Sequence, residues 1–115
     1  MSEFVIWHNP RCTKSRQALD LLRARGIEPA IVPYLTQPPD LGQLRVALSR
    51  LGLRPVQMMR MKEKRFAELG LSKDSSDDDL LNAMAANPVL IERPIVFRNH
   101  KAVIGRPTEA VLTLL

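Results

Sequence analysis

The sequence predicts an α/β fold in which a mixed four-stranded sheet is flanked by helices. The first third reads as strand, helix and strand, and the last third reads as two strands and a helix. The middle, about 50 residues long, shows only helical patterns. Strand–helix–strand units form parallel pairs with a right-handed crossover, and a closing hairpin adds antiparallel strands. We expect residues 1–115 to be a single domain with a helical insertion over about residues 40–90.

Hydrophobic spacing and breaker residues define the elements of the first third. The apolar run Phe4-Val5-Ile6-Trp7, ended by Asn9-Pro10, predicts a buried strand. Residues 13–25 place their apolar side chains at helical spacing, and Gly26 ends the pattern as a C-cap. Residues 29–34 predict the second strand, which would lie parallel to the first.

Helix signals dominate the middle of the chain. Asp40 is predicted to be the N-cap of a helix that Gly52 ends. Residues 55–69 predict short helical pieces. Ser76, followed by three aspartates, predicts the start of a further helix, since acids in the first turn favour the helix dipole; Pro88 marks its end.

The last third returns to strand patterns. Residues 94–97 and 102–104 predict two strands, and residues 98–101 predict the turn of a hairpin between them. The sequence Gly105-Arg106-Pro107 ends the second of these strands. Thr108 is predicted to be the N-cap of a final helix.

Composition and charge indicate which kinds of molecule the protein could bind. The formal charge is +5, and twelve of the seventeen basic residues are arginine, which grips two oxygens of an anion at once. Aromatic residues make up only 4%, which argues against a nucleic-acid stacking surface. No apolar run approaches the roughly 20 residues of a membrane span. One cysteine and two histidines predict no disulfide and no zinc site, and nothing requires more than a monomer.

Cys12 is the candidate nucleophile because it lies where the first strand turns into the first helix. A helix N-terminus stabilises negative charge, so a thiol there becomes acidic and reactive. No acid occurs in residues 4–19, and the loop carries several basic or hydroxyl side chains: Arg11, Lys14 and Arg16, with His8 as a possible fourth positive group, and Thr13 and Ser15 as hydroxyl donors. Because position 15 is serine, no Cys-x-x-Cys pair exists, and any resolving thiol must come from another molecule.

The residues alone leave alternatives open. A lone cysteine is often a small buried hydrophobe, and basic side chains often form a solvated face. Three arginines stand out by their position in the sequence: Arg60, Arg93 and Arg106. Each could be an ordinary surface residue, and Arg93, which precedes a proline, could simply belong to a turn.

Three blocks together resemble the glutaredoxin-dependent arsenate reductase family. They are residues 8–16 (HNPRCTKSR), residues 92–96 (ERPIV) and residues 105–107 (GRP), with weaker matches between them. The resemblance extends from about Val5 to Leu115. It implies a thioredoxin-like fold enlarged by helices in its middle. In that fold the proline that opens the third strand is cis and faces the active cysteine, which here would be Pro94.

The resemblance also implies a mechanism. The Cys12 thiolate would attack the arsenic of arsenate while Arg60, Arg93 and Arg106 hold the oxyanion, and His8 would assist the thiolate. Arg54 and Arg65 compete with Arg60 for the third position. Glutathione, as co-substrate, would attack the adduct and reduce As(V) to As(III), and a glutaredoxin would resolve the mixed disulfide. No bound cofactor is implied.

Two further interpretations stay open beside arsenate reduction. The chain could be a non-catalytic, regulatory thiol sensor that is glutathionylated at Cys12, or a glutathione-dependent oxidoreductase with another substrate. A sensor needs an acidic thiol but no oxyanion clamp, so the three arginines favour the reductase. The lone thiol and the absence of a signal-peptide pattern predict a cytoplasmic protein.

Overall fold

The computed structural model describes residues 3–115 and divides them into two compact units. The first contains the described residues up to Gln37 together with Arg93–Leu115, and the second is Pro38–Glu92. The second unit spans nearly the same residues as the predicted helical insertion. That both units form one domain stays a prediction. Across residues 3–115, every helix is too short or too polar to cross a membrane.

The first unit contains the predicted mixed four-stranded sheet, with strand order β2-β1-β3-β4. The strands are β1 (Phe4–Trp7), β2 (Ala30–Val32), β3 (Ile95–Arg98) and β4 (Lys101–Ile104). β1 is parallel to β2 and antiparallel to β3, and β3 is antiparallel to β4. β2 is shorter than predicted, because the prolines at positions 29 and 33 have no N–H for a strand ladder.

The register of the strands brings distant parts of the chain to one edge of the sheet. Trp7, the last residue of β1, pairs with Ile95, the first residue of β3. Ile95 in turn pairs with Ile104, the last residue of β4. The loop after β1, the segment before β3 and the segment after β4 therefore leave the sheet side by side.

Two helices cover one face of this sheet. They are α1 (Thr13–Ala24) and a C-terminal 3₁₀ helix (Thr108–Leu114). Their buried side chains form a core with alternate residues of the strands: Phe4, Ile6, Ala18, Leu19, Leu22, Val96, Val111 and Leu114. α1 begins where predicted and ends one residue earlier, at Ala24, so the C-cap residue is Arg25 and not Gly26. Gly26 follows the cap with a positive φ of 76°.

The predicted N-cap role of Thr108 is wrong. Pro107 precedes the first helical residue, and Thr108 itself begins the 3₁₀ helix. The Thr108 hydroxyl instead donates to the Gln17 side-chain carbonyl on α1 at 3.2 Å.

The second unit is helical, as predicted. It contains α2 (Leu41–Leu51), α3 (Lys64–Glu68) and α4 (Asp77–Ala86), with 3₁₀ turns at Pro55–Met58 and Pro88–Leu90. Asp40 caps α2 through a reciprocal pair of bonds: its carboxylate accepts from the Gln43 N–H at 2.8 Å, and the Gln43 side chain accepts from the Asp40 N–H at 3.0 Å. The Ser76 side chain caps α4.

Candidate active site

Cys12 is the N-cap residue of α1, at the end of the loop that follows β1. Its backbone is extended and its own N–H donates to the Asn9 carbonyl at 3.0 Å. Among residues 3–115, no side chain caps this end of α1, and no acid occupies its first turn. The half-buried thiol therefore meets backbone N–H groups of α1, those of Lys14 and Ser15 among them.

The surroundings of Cys12 favour its thiolate. Partial burial by itself raises the pKa of the Cys12 thiol, because it disfavours the charged form. Hydrogen bonds from the N–H groups of Ser15 and Lys14, together with the charge and hydrogen bond of Arg93, outweigh that effect, so the pKa lies below its ordinary value. The thiolate is the form that attacks electrophiles, so the site carries an activated nucleophile.

Arg106 bridges the sulfur and the segment before β3. Its Nη2 donates to Cys12 Sγ at 3.7 Å, and its Nε donates to the Arg93 backbone carbonyl at 2.8 Å. The two arginines that the sequence singled out at opposite ends of the β3–β4 hairpin therefore meet beside the thiol. The Arg93–Pro94 bond is cis, as the resemblance implied, and the Arg106–Pro107 bond is also cis, which the sequence reasoning did not anticipate.

Gly105 allows these two segments to approach closely, a role that sequence reasoning missed. Its N–H donates to the Pro94 carbonyl at 2.9 Å. A Cβ at position 105 would lie 2.8 Å from Pro94 Cγ and 3.4 Å from Val111 Cγ1. The only sequence signal for this role is the glycine of the Gly-Arg-Pro block, which by itself predicts no more than the end of a strand.

A buried hydrogen-bonded pair of side chains stabilises the loop between β1 and α1. The side chains of His8 and Ser15 are both buried, and His8 Nδ1 lies 2.6 Å from Ser15 Oγ. Ser15 Oγ also accepts from the Asn9 N–H at 3.0 Å. Which of the two atoms donates the proton depends on the tautomer of His8, because a hydroxyl can both donate and accept. This pair ties the beginning of the loop to the first turn of α1.

Two predicted roles change as a result. Burial, followed by the charges of Arg23 and Arg16, lowers the pKa of His8 below its ordinary value, although Asp20 opposes part of the shift. His8 is therefore neutral at neutral pH and is not the fourth positive group.

The buried Ser15 hydroxyl also differs from the prediction. Because it is fully buried and bonded within the loop, it is not an outward-facing donor for an oxyanion.

Thr13 lies on the exposed side of the same turn. Its hydroxyl accepts from Arg16 Nη2 at 3.2 Å, and Arg16 Nη1 donates to the Pro10 carbonyl at 2.9 Å. Arg16 thus joins the loop before α1 to the first turn of that helix on their exposed side. The predicted contact between Thr13 and the substrate stays a prediction.

Arg60 lies in the second unit, where its guanidinium group contacts a carboxylate and a backbone carbonyl of the same unit. Its Nη1 lies 3.2 Å from the Glu63 carboxylate and donates to the Val89 carbonyl at 3.3 Å. Both competitors are engaged in that unit as well: Arg54 pairs with Asp77 and Arg65 bonds to Asn87. Arg60 as the third oxyanion-binding arginine stays a prediction.

The arrangement around Cys12 combines an activated sulfur nucleophile with guanidinium groups beside it. A tetrahedral oxyanion could place one oxygen on the arginines while its central atom meets the sulfur. Arginine suits this task because its charge persists at every working pH and its planar fork matches paired oxygens.

Known proteins share both the sequence and the fold of this chain. The model of the ArsC family matches residues 7–114. An arsenate reductase of Neisseria meningitidis is 50% identical over 117 residues, covering 100% of both chains. An arsenate reductase of Escherichia coli is 38% identical and covers 100% of this chain and 82% of its own length. A solved arsenate reductase structure from Vibrio cholerae has a TM-score of 0.93 and 48% identity, covering 97% of each chain.

Proposed function

Because the chain belongs to the ArsC family, we propose that it is an arsenate reductase with Cys12 as its nucleophile and glutathione and a glutaredoxin as its reductants. The contact between Arg106 and the Cys12 sulfur, 3.7 Å long, is the observation that carries the proposal. This contact supports the proposal because a small oxyanion bound to the guanidinium would lie next to the sulfur.

The first chemical step joins sulfur to arsenic. The Cys12 thiolate attacks the arsenic atom of arsenate, an S–As bond forms, and one arsenate oxygen leaves as water after protonation. Arg106 and Arg93 bind the remaining oxygens, and in this proposal Arg60 supplies the third guanidinium. Arsenic is still As(V) after this step, so no electrons have been transferred to it.

The second step carries the reduction. Glutathione attacks the adduct, a disulfide forms between Cys12 and glutathione, and the electron pair of the broken S–As bond stays on arsenic as As(III). The two thiols together supply the two electrons. A glutaredoxin thiolate then attacks the glutathione sulfur and restores the Cys12 thiol.

The single cysteine of the chain supports the use of external thiols. A second protein thiol is absent from the sequence, so the oxidising equivalent cannot be stored as an internal disulfide. A monomer in a reducing compartment, the cytoplasm, would meet glutathione at the concentrations that this cycle needs.

Arsenate-dependent NADPH consumption, coupled through glutathione, glutathione reductase and a glutaredoxin, tests the proposal. We expect turnover by the native chain and none by Cys12→Ser. Absence of turnover with several glutaredoxins, together with glutathionylation of an acidic Cys12, would contradict the proposal and favour the thiol sensor. Turnover that survives in Cys12→Ser would show that another group is the nucleophile.

A further inference from the structure

A surface groove of about 640 Å³ runs between α1 and the C-terminal 3₁₀ helix, within the first unit. One end of it is lined by residues that are near Cys12 and Arg106 in the sequence. Lys14 lines the groove and its N–H also bonds to Cys12, while Pro107 lines it and directly follows Arg106. The arsenate chemistry proposed above uses neither the groove nor the side chains in it. The side chains that decide its chemistry are Lys14, Gln17, Asp20 and Leu21 on α1 and Thr108 and Glu109 opposite.

We infer that this groove binds glutathione, with the γ-glutamyl arm lying along α1 and the thiol presented to Cys12. The inference rests on the proposed function for its choice of thiol. The described residues themselves supply the groove, its charges and its position.

The charges of the groove match those of the tripeptide. Lys14, at the end beside Cys12, offers a cation to the glycine carboxylate. Asp20 and Glu109 offer carboxylates to the α-ammonium group of the γ-glutamyl arm. Between them, the hydrogen bond from Thr108 to Gln17 joins the two walls and leaves polar groups for the peptide units. Leu21 contributes apolar surface to the same groove.

The dimensions of the groove agree as well. Lys14 and Asp20 are six residues apart on one helix, which corresponds to about 9 Å along its axis. An extended tripeptide spans about 10 Å. A ligand with its thiol at Cys12 can therefore reach the carboxylates at the far end.

A second groove in the first unit fits glutathione less well. It has about 390 Å³ and lies between the loop after β1 and the segment after β2. Its lining is mainly apolar, with Pro10, Pro33 and Leu35, and it offers Arg11 as a cation but no carboxylate for the ammonium group. This groove is the natural competitor in a binding experiment.

Titration of the ¹⁵N-labelled chain with S-methylglutathione, which cannot react, tests the site directly. We expect saturable shifts of the amide resonances of Lys14, Gln17, Leu21 and Thr108. Shifts confined to Leu35 and Thr36 in the second groove, or no saturable shifts at all, would overturn the inference.

Glu109→Gln tests the charge match, and Asp74→Asn is the matched control because it removes the same charge from an exposed position of the second unit. We expect Glu109→Gln to weaken S-methylglutathione binding about threefold to fivefold, as for an exposed ion pair. N-acetyl-S-methylglutathione, which lacks the ammonium group, should bind both forms equally. Equal affinity of the native chain and Glu109→Gln for S-methylglutathione would refute the role of Glu109.

Kinetics then separate the groove from the proposed function. In turnover assays, Glu109→Gln should raise the KM for glutathione and leave the KM for arsenate unchanged. Binding in the groove without arsenate turnover would sink the proposed function but keep the site. Turnover without groove shifts would sink the site but keep the function.

Discussion

Gly105→Ala should damage both the stability of the protein and its active site. The new methyl group would lie 2.8 Å from Pro94 Cγ, 3.4 Å from Pro94 Cδ and 3.4 Å from Val111 Cγ1. Attractive carbon–carbon contacts begin near about 3.5 Å, so the shortest of these is strongly repulsive. The proline ring is rigid and Val111 is fully buried, so neither can move aside cheaply. Overpacking of this kind costs about 1–3 kcal/mol.

The same displacement reaches the candidate site. Pro94 follows Arg93, whose carbonyl holds Arg106 Nε, and Arg106 follows position 105 itself. A shift of about 1 Å in groups that position a substrate can cost about 100-fold in rate. We therefore expect kcat/KM for arsenate to fall about 10- to 100-fold.

Thermal unfolding and steady-state kinetics measure the two effects. A cost of about 1–3 kcal/mol corresponds to a Tm decrease of about 4–12 °C for a chain of this size. Gly42→Ala, in the first turn of α2, is the control: its nearest contact would be 3.4 Å to Asp40 Oδ1, and alanine in a helix stabilises by up to about 1 kcal/mol. A Gly105→Ala variant with native Tm and native kcat/KM would refute the packing argument.

Three other substitutions test separate contacts. Arg93→Ala removes a charge and a hydrogen bond that lower the pKa of Cys12, so the pH midpoint of its alkylation by iodoacetamide should move upward; an unchanged midpoint would contradict the role of Arg93. Burial keeps the pKa of His8 lower in the folded protein than in the unfolded chain. The free energy of unfolding should therefore be highest above about pH 7 and should decrease as the pH falls through 6.5, because the unfolded chain then binds a proton that the folded protein does not. Urea unfolding should show that His8→Asn removes this decline and that His100→Asn, at an exposed turn, does not. Asp40→Ala should cost about 1 kcal/mol in thermal unfolding, and a loss of only a few tenths would mean that the capping box contributes little.

Local signals were sufficient for most of the fold. The helix from Asp40 to Gly52 was predictable because its cap, its apolar spacing and its terminal glycine all agree. The strand predicted over residues 29–34 is too long, although the prolines at positions 29 and 33 already indicate where the ladder stops. The prediction for Thr108 failed for a different reason. Its hydroxyl bonds to Gln17, on a helix that is distant in the sequence, and no rule based on neighbouring residues detects such a partner.

The candidate site was predictable in its residue types but only partly in their roles. Cys12 could be found because a cysteine at a strand-to-helix turn in a basic loop has a defined chemical consequence. The roles of His8 and Ser15 could not be found, because burial and the direction of a hydroxyl depend on packing. The sequence allowed His8 as a possible positive group, which its burial disfavours, and suggested Ser15 as a donor to the substrate, whereas the Ser15 hydroxyl lies 2.6 Å from His8 Nδ1.

Strand register explains how three separated blocks of sequence form one site. Trp7 pairs with Ile95 and Ile95 pairs with Ile104, so the residues just beyond these pairs must emerge together at one edge of the sheet. A shift of register by one residue would turn every side chain of a strand to the opposite face and carry its flanking segment away from the thiol. The buried side chains on both faces of β3 oppose such a shift, because it would exchange Val96 on one face with Ile95 and Phe97 on the other and disrupt the packing of both. The hydrophobic core thus determines more than stability: it holds Arg106 at the sulfur of Cys12.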